Sequence, residues 1–262
     1  MNWQEKYGEW ALVTGASSGI GRAFAHDLAR RGMNVILVAR RTEKLKQVAA
    51  ECESWNRKTY IYSVDLAQPN AFQEISSLVA DKEVGVLVNN AGIIARGSFF
   101  EIDLQRQLDM VTLHCAMPVA LTHHCLTGML MRNRGAIITI SSLAAYYFHP
   151  FLTTYAATKE FDWRFGQSLF WELKETGIDT LTVVPGFSKT EAYEAANWKI
   201  DFESIPSFFK PQNPEEVSKK SLNVLGKKRS IIFASLIERT IINANYFLAD
   251  SLVEFILGRL LT

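Results

Sequence analysis

Short, unbroken apolar runs alternate with longer stretches of helical spacing along nearly the whole chain, and few folds accept such a pattern. Residues 10–14 (WALVT), 33–39 (MNVILVA), 59–64 (TYIYSV), 84–88 (VGVLV), 136–141 (AIITIS), 178–184 (IDTLTVV) and 230–234 (SIIFA) read as strands. They are continuous rather than alternating, which predicts strands covered on both faces. Helical spacing occupies 19–31, 41–54, 68–80, 102–132, 153–176 and 213–226. Strands separated by helices imply an α/β fold, a Rossmann-type doubly wound parallel sheet of about seven strands with helices on both faces. No repeat or linker interrupts it, so residues 1–262 are expected to form one domain.

Two segments depart from the rhythm. Residues 187–212 are too long and too aromatic for a plain strand-to-helix loop, and we expect a substrate lid there. Residues 236–261 are densely apolar, with polar positions at Arg239, Asn243, Asp250 and Glu254. The uncharged stretch between Arg239 and Asp250 falls far short of the ~20 residues of a membrane span. A C-terminal helical extension is expected, packed on the domain or across an oligomer interface. The alternative is a peripheral helix on a membrane surface.

A formal net charge of +1 carries no electrostatic footprint for nucleic acid. Cys52, Cys115 and Cys125 show neither a CxxC pair nor metal-ligand spacing. Unpaired thiols, no metal and a reducing compartment follow. The opening MNWQEKYGEW lacks the apolar run of a signal peptide. The expected location is cytoplasmic, with membrane association only through the tail.

The first strand runs directly into TGASSGIG, residues 14–21, and then a helix. Glycines at 15, 19 and 21 let the backbone turn tightly and bring a pyrophosphate to the helix N-terminus. This predicts a dinucleotide site. The second strand ends at Ala39-Arg40-Arg41, where an acid would suit a free ribose 2′-hydroxyl. Arginine instead suits a 2′-phosphate, so NADP is expected rather than NAD, with Arg40 the better candidate. Asp65 and Leu66 follow the third strand where an adenine would rest, and NNAG (89–92) ends the fourth.

Ser141 and Ser142 end the fifth strand, and YAATK (155–159) lies one loop further on. A free tyrosine has a pKa near ~10, and an ammonium one helical turn away favours the phenolate. Ser142, Tyr155 and Lys159 can therefore meet beyond the carboxyl ends of the strands, with Tyr155 as general acid or base. AYYFHPF (145–151) and the lid aromatics Tyr193, Trp198, Phe202, Phe208 and Phe209 can line an apolar pocket.

Taken in order, TGASSGIG, NNAG, ISS, YAATK and VVPGFSKT resemble the short-chain dehydrogenase/reductase family over about residues 9–234. The resemblance implies that residues 14–21, with Gly15, Ser17, Ser18, Gly19, Ile20 and Gly21, wrap the cofactor pyrophosphate. It implies that Asp65 touches the adenine and that Asn90, Ala91 and Gly92 border the ribose. Pro185, Gly186, Ser188 and Thr190 would flank the nicotinamide. Tyr155 would protonate a carbonyl held by Ser142 while NADPH delivers hydride, and Lys159 would bind the nicotinamide ribose. Homodimers or homotetramers through the helices at 102–132 and 153–176 are also implied.

One position departs from the family. Aligning TLHCAMPVALT with the family's pattern puts His114 where an asparagine helps hold a water that links the lysine to solvent. Histidine can hold the same water through its two ring nitrogens, or it can pack between helices and weaken the relay. The substrate is expected to be a hydrophobic ketone or aldehyde, or the matching secondary alcohol, near Ser142, Tyr147, Phe148, Phe187, Tyr193 and Trp198. The alternative function is a catalytically weak NADPH-binding sensor or subunit.

Overall fold

The computed structural model of the chain describes residues 2–146, 148–188, 190–196, 198, 211–235 and 240. Tyr147, most of the expected lid beyond Ala196 with its Phe202, Phe208 and Phe209, and all of the 236–261 extension except Thr240 lie outside the described residues. Seven parallel strands form one sheet: β1 (Trp10–Thr14), β2 (Asn34–Ala39), β3 (Thr59–Ser63), β4 (Val84–Asn89), β5 (Gly135–Ile140), β6 (Ile178–Val184) and β7 (Ser230–Ile232). Their order is β3-β2-β1-β4-β5-β6-β7. The expected doubly wound α/β fold is the observed one. Every residue of β1, β2, β4 and β5 is buried, whereas β3 at the sheet edge is half-exposed. That is why the central strands read as unbroken apolar runs.

Helices α2 (Gly19–Arg30), α3 (Thr42–Glu53) and α9 (Pro214–Val224) cover one face. Phe24 and Leu28 of α2 are fully buried there against Leu37 and Val217. Each such side chain contributes about 1.5–3 kcal/mol relative to exposure. A short helix α1 (Trp3–Tyr7), which the apolar pattern does not predict, joins this face. Asn2 caps it, accepting from the Gln4 N–H at 3.1 Å, and the Tyr7 hydroxyl donates to Asp179 at 2.8 Å. The opposite face carries α4 (Ala71–Leu78), α5 (Leu104–Val111), α6 (Met117–Arg132) and α7 (Thr153–Glu172) around Met110, Leu121 and Leu87. A four-residue helix, α8 (Ala192–Ala195), follows β6.

The single helix expected over 102–132 is divided. Between α5 and α6 lies a π-helical turn, Thr112–Ala116, with His114 at its centre. Pro118 supplies the cause. It has no N–H to give the His114 carbonyl, and its ring crowds that carbonyl, so the helix widens there.

Candidate active site

β1 and β4 are neighbours at the point where the strand order reverses, and a cleft opens there at the carboxyl ends of the strands. Its volume is about 420 Å³. The Gly-rich turn forms one wall through Gly15, Ser17, Ser18, Gly19 and Ile20. Gly15 and Gly19 have φ of 66° and 54°, a region that disfavours any side chain. Gly21 stands just beyond the lining. A Cβ there would sit 2.3 Å from the Gly15 carbonyl oxygen, so only glycine lets the helix close on the turn.

Thr14 and Asn90 lock this turn to β4. The Thr14 hydroxyl donates to the Val88 carbonyl at 3.1 Å and accepts from the N–H groups of Asn90 and Ala91 at 2.9 and 3.0 Å. The Asn90 amide donates back to the Thr14 carbonyl at 2.9 Å. Asn90, Ala91 and Gly92 thereby form the cleft floor, and Pro185, Gly186, Ser188 and Thr190 also line it. Gly186 is held by the Gln212 side chain, which accepts its N–H at 3.1 Å.

At the end of β2 the two arginines separate. Arg40 is 58% exposed and lies 3.8 Å from Asp65, which lines the cleft with the buried Leu66. Arg41 turns onto the Gly-rich loop, donating to Ser17 Oγ at 3.0 Å and Ser18 Oγ at 2.7 Å. Its remaining nitrogen meets Glu191, which also accepts from Lys44.

The same cleft holds Ser142, Tyr155, Lys159 and His114. Ser141 Oγ donates to the Lys159 carbonyl at 2.7 Å, fastening the end of β5 to α7. Ser142 Oγ accepts from the Ala144 N–H at 3.2 Å and so begins the 3₁₀ turn Leu143–Tyr146. The Lys159 ammonium is buried and donates to the Ile140 carbonyl and to Asp162 Oδ2, each at 2.9 Å. Burial works against the lysine's charge, but Asp162 and then Tyr155 outweigh it and hold its pKa above the ordinary value. Burial pushes the Asp162 carboxyl up to about 6, with Lys159 pulling the other way. The pair is ionised at neutral pH, each charge offsetting the burial of the other.

His114 is buried and both ring nitrogens are engaged. Nε2 accepts the Ile93 N–H at 3.1 Å, which places the ring proton on Nδ1. Nδ1 donates to Thr158 Oγ1 at 2.8 Å, and Thr158 donates in turn to the Tyr155 carbonyl at 2.9 Å. Burial first, and the Lys159 charge second, hold its pKa well below the usual histidine range, so the ring is neutral. Its edge packs on the Tyr155 ring at 5.8 Å between centroids. His114 thus ties the strand-end loop to the helix turn that carries Tyr155.

Of the residues expected near substrate, Ser142 and Tyr193 line the cleft. Phe187 and Trp198 stack around Tyr193, with centroids 6.1 and 5.5 Å from it. Phe148 is 40% exposed and stands outside the lining. The roles of four side chains that bear on the site escape the sequence reasoning: Thr14, Thr158, Asp162 and Glu191. Asp162 alone carries a signal, as an acid three residues after the lysine and so on the same face of the helix.

The profile of the short chain dehydrogenase family matches residues 9–200. The very-long-chain 3-oxoacyl-CoA reductase of Bos taurus is 34% identical over 225 residues, covering 84% of this chain and 69% of that one. The 7beta-hydroxysteroid dehydrogenase of Clostridium sardiniense is 32% identical over 237 residues, covering 90% and 89%. A solved 7beta-hydroxysteroid dehydrogenase superposes with a TM-score of 0.88 at 26% identity, covering 97% of this chain and 99% of that one. A short-chain dehydrogenase from Sphingobium yanoikuyae in complex with NADPH gives 0.78 at 27% identity, with 86% of each chain covered. The chain belongs to the short-chain dehydrogenase family, whose members are nucleotide-binding oxidoreductases acting between alcohols and carbonyls.

Proposed function

Proceeding from that membership, we propose that the protein is an NADP(H)-dependent reductase of a hydrophobic carbonyl compound, or a dehydrogenase of the matching secondary alcohol. The observation that carries this reading is the convergence of Ser142, Tyr155 and Lys159 on the cleft that the Gly-rich turn also lines. The residues present fit a dinucleotide. The turn at Gly15, Gly19 and Gly21 makes a cradle that a Cβ would fill, and an arginine fork stands beside it. Residues 15–21 would hold the pyrophosphate, Asp65 and Leu66 the adenine, and Asn90, Ala91 and Gly92 the ribose. Pro185, Gly186, Ser188 and Thr190 would flank the nicotinamide, and Arg40 and Arg41 would face a 2′-phosphate. When bound, NADPH supplies the hydride for the carbonyl carbon.

The protein's own groups handle the oxygen and the proton. Ser142 donates to the carbonyl oxygen and orients it, while Tyr155 delivers a proton to it. The Lys159 ammonium, held charged by Asp162, stabilises the phenolate that remains. His114 keeps the Tyr155 turn in place rather than carrying a proton itself, since both of its nitrogens are already committed. The apolar wall of Ile93, Ile94, Leu113 and Tyr193 suits a hydrophobic substrate. The named activities of the two relatives, on a long-chain 3-oxoacyl group and on a hydroxysteroid, are of this kind.

We place the protein in the cytoplasm as a homo-oligomer. Leu104, Leu108 and Val111 form an exposed apolar stripe on α5, and Phe161 and Trp171 are exposed on α7, which supports self-association through these helices. Among the described residues no helix is long and apolar enough to cross a membrane. Peripheral contact through 236–261 is the alternative placement. The function is tested by NADPH oxidation over a panel of 3-oxoacyl, oxosteroid and aromatic carbonyl compounds. Tight NADPH binding without turnover on any of them would favour a sensor or subunit instead.

A further inference from the structure

Glu191 lies on the cationic corner beside the Gly-rich loop. Its two carboxylate oxygens accept from Arg41 and from Lys44, each at 2.5 Å. The same Arg41 guanidinium donates to the hydroxyls of Ser17 and Ser18. Two cations meet on one carboxylate, and one of them is fixed by two hydroxyls of the Gly-rich loop, which makes a seat for a compact polyvalent anion. Lys44 and then Arg41 hold the Glu191 carboxyl below its ordinary range, so it is ionised at neutral pH.

The segment that brings the carboxylate here is the start of the aromatic stretch after β6. Thr190 lies against the Gly-rich loop so closely that a Cβ on Gly19 would come within 2.9 Å of its Cγ2. Two residues after Glu191, Tyr193 lines the cleft and packs on Phe187 and Trp198. A single short segment therefore joins the anion seat to the substrate wall.

We infer that Glu191 occupies the seat of the cofactor's 2′-phosphate and must leave Arg41 and Lys44 when a 2′-phosphorylated dinucleotide binds. This rests on the NADP reading and adds a residue that sets its strength. The carboxylate competes only with the 2′-phosphate, since a nucleotide without one has no need of the seat. Its departure also frees the root of the Tyr193–Trp198 cluster, which couples the phosphate to the substrate wall. All three side chains are nearly half exposed, and exposed ion pairs of this kind are weak. The competition therefore tunes affinity and does not abolish binding.

The test compares the parent protein with Glu191→Gln by calorimetric titration of 2′,5′-ADP and of 5′-AMP. Glutamine keeps the shape and removes the charge. The inference predicts that 2′,5′-ADP binds Glu191→Gln about three- to tenfold more tightly than the parent, while 5′-AMP changes by less than about twofold. Arg41→Gln should lose the preference for 2′,5′-ADP. In the parent, 2′,5′-ADP should also change the Trp198 emission, obtained by difference from Trp198→Phe, and 5′-AMP should not. If the parent prefers 2′,5′-ADP but Glu191→Gln binds it equally or more weakly, the inference is overturned and the NADP reading stands. If neither protein distinguishes the two nucleotides, the NADP reading falls and this inference falls with it.

Discussion

Asp162 is the carboxylate whose fate decides how the buried lysine is maintained, and replacing it with asparagine isolates two opposing effects. Asp162 is 2% exposed, and it is paired with the Lys159 ammonium at 2.9 Å. Burial disfavours the carboxylate, whereas Lys159 favours it. A carboxyl moved from 3.8 up to about 6 records that burial wins. Ionising Asp162 in the fold is therefore harder than in the unfolded chain, even with the Lys159 ammonium beside it. Between pH 4 and 6 the folded protein keeps a proton that the unfolded chain has released, so stability falls as pH rises through this window and is level above it. An asparagine side chain imitates the protonated acid and has no such loss. Thermal melting of parent and Asp162→Asn from about pH 3.5 to 8 should give nearly equal midpoints at the acid end, below the unfolded value of the acid. At about pH 7.5 the variant should melt a few degrees higher, each kcal/mol being worth about 2–4 °C for a chain of this size. A variant that melts below the parent there would refute the reasoning and show that the lysine's pull exceeds desolvation. On the present account the fold keeps a destabilising acid because it holds Lys159 charged and in place, so the stabilised variant should turn over more slowly.

Two further substitutions probe the frame of the site. His114→Leu keeps bulk but leaves the buried Ile93 N–H without a partner and Thr158 tied to the Tyr155 carbonyl alone, a loss of about 1–3 kcal/mol near neutral pH. The neutral fold of His114 resists protonation that the unfolded chain accepts below about 6.5, so parent stability falls as pH drops and the gap to the leucine variant should narrow by about pH 5. A constant gap in melting temperature over that range would contradict the assignment of a neutral ring. Gly21→Ala places a methyl group against the Gly15 carbonyl. It should abolish NADPH binding measured by cofactor fluorescence, and unchanged affinity would show that the turn yields.

The fold is legible because its central strands are buried on both faces, and burial on both faces leaves a mark in the sequence itself. Each of β1 to β6 lies within about one residue of its expected run, and β7 is shorter than its run. The break of the 102–132 helix is legible too once Pro118 is weighed as a missing donor. The site is legible in outline, since glycine spacing and the YAATK turn are local patterns. What escapes are ties between distant segments. Glu191 meets Arg41 across 150 residues, and His114 meets Thr158 across 44, and no spacing rule connects them. The sequence favours Arg40 over Arg41 for the 2′-phosphate, yet it is Arg41 that reaches the Gly-rich loop. Only the turn of the chain into α3 sends Arg41 to the Gly-rich loop and leaves Arg40 at the surface.

The central claim is that Tyr155 delivers the proton in carbonyl reduction at this cleft. The most direct measurement is NADPH consumption with the best carbonyl of the panel, by the parent and by Tyr155→Phe under the same conditions. Phenylalanine preserves the ring that packs on His114 and removes only the hydroxyl. The account predicts a fall in turnover of about 10²- to 10⁴-fold with NADPH affinity retained. Turnover equal to that of the parent, with the cofactor bound as tightly, would contradict it.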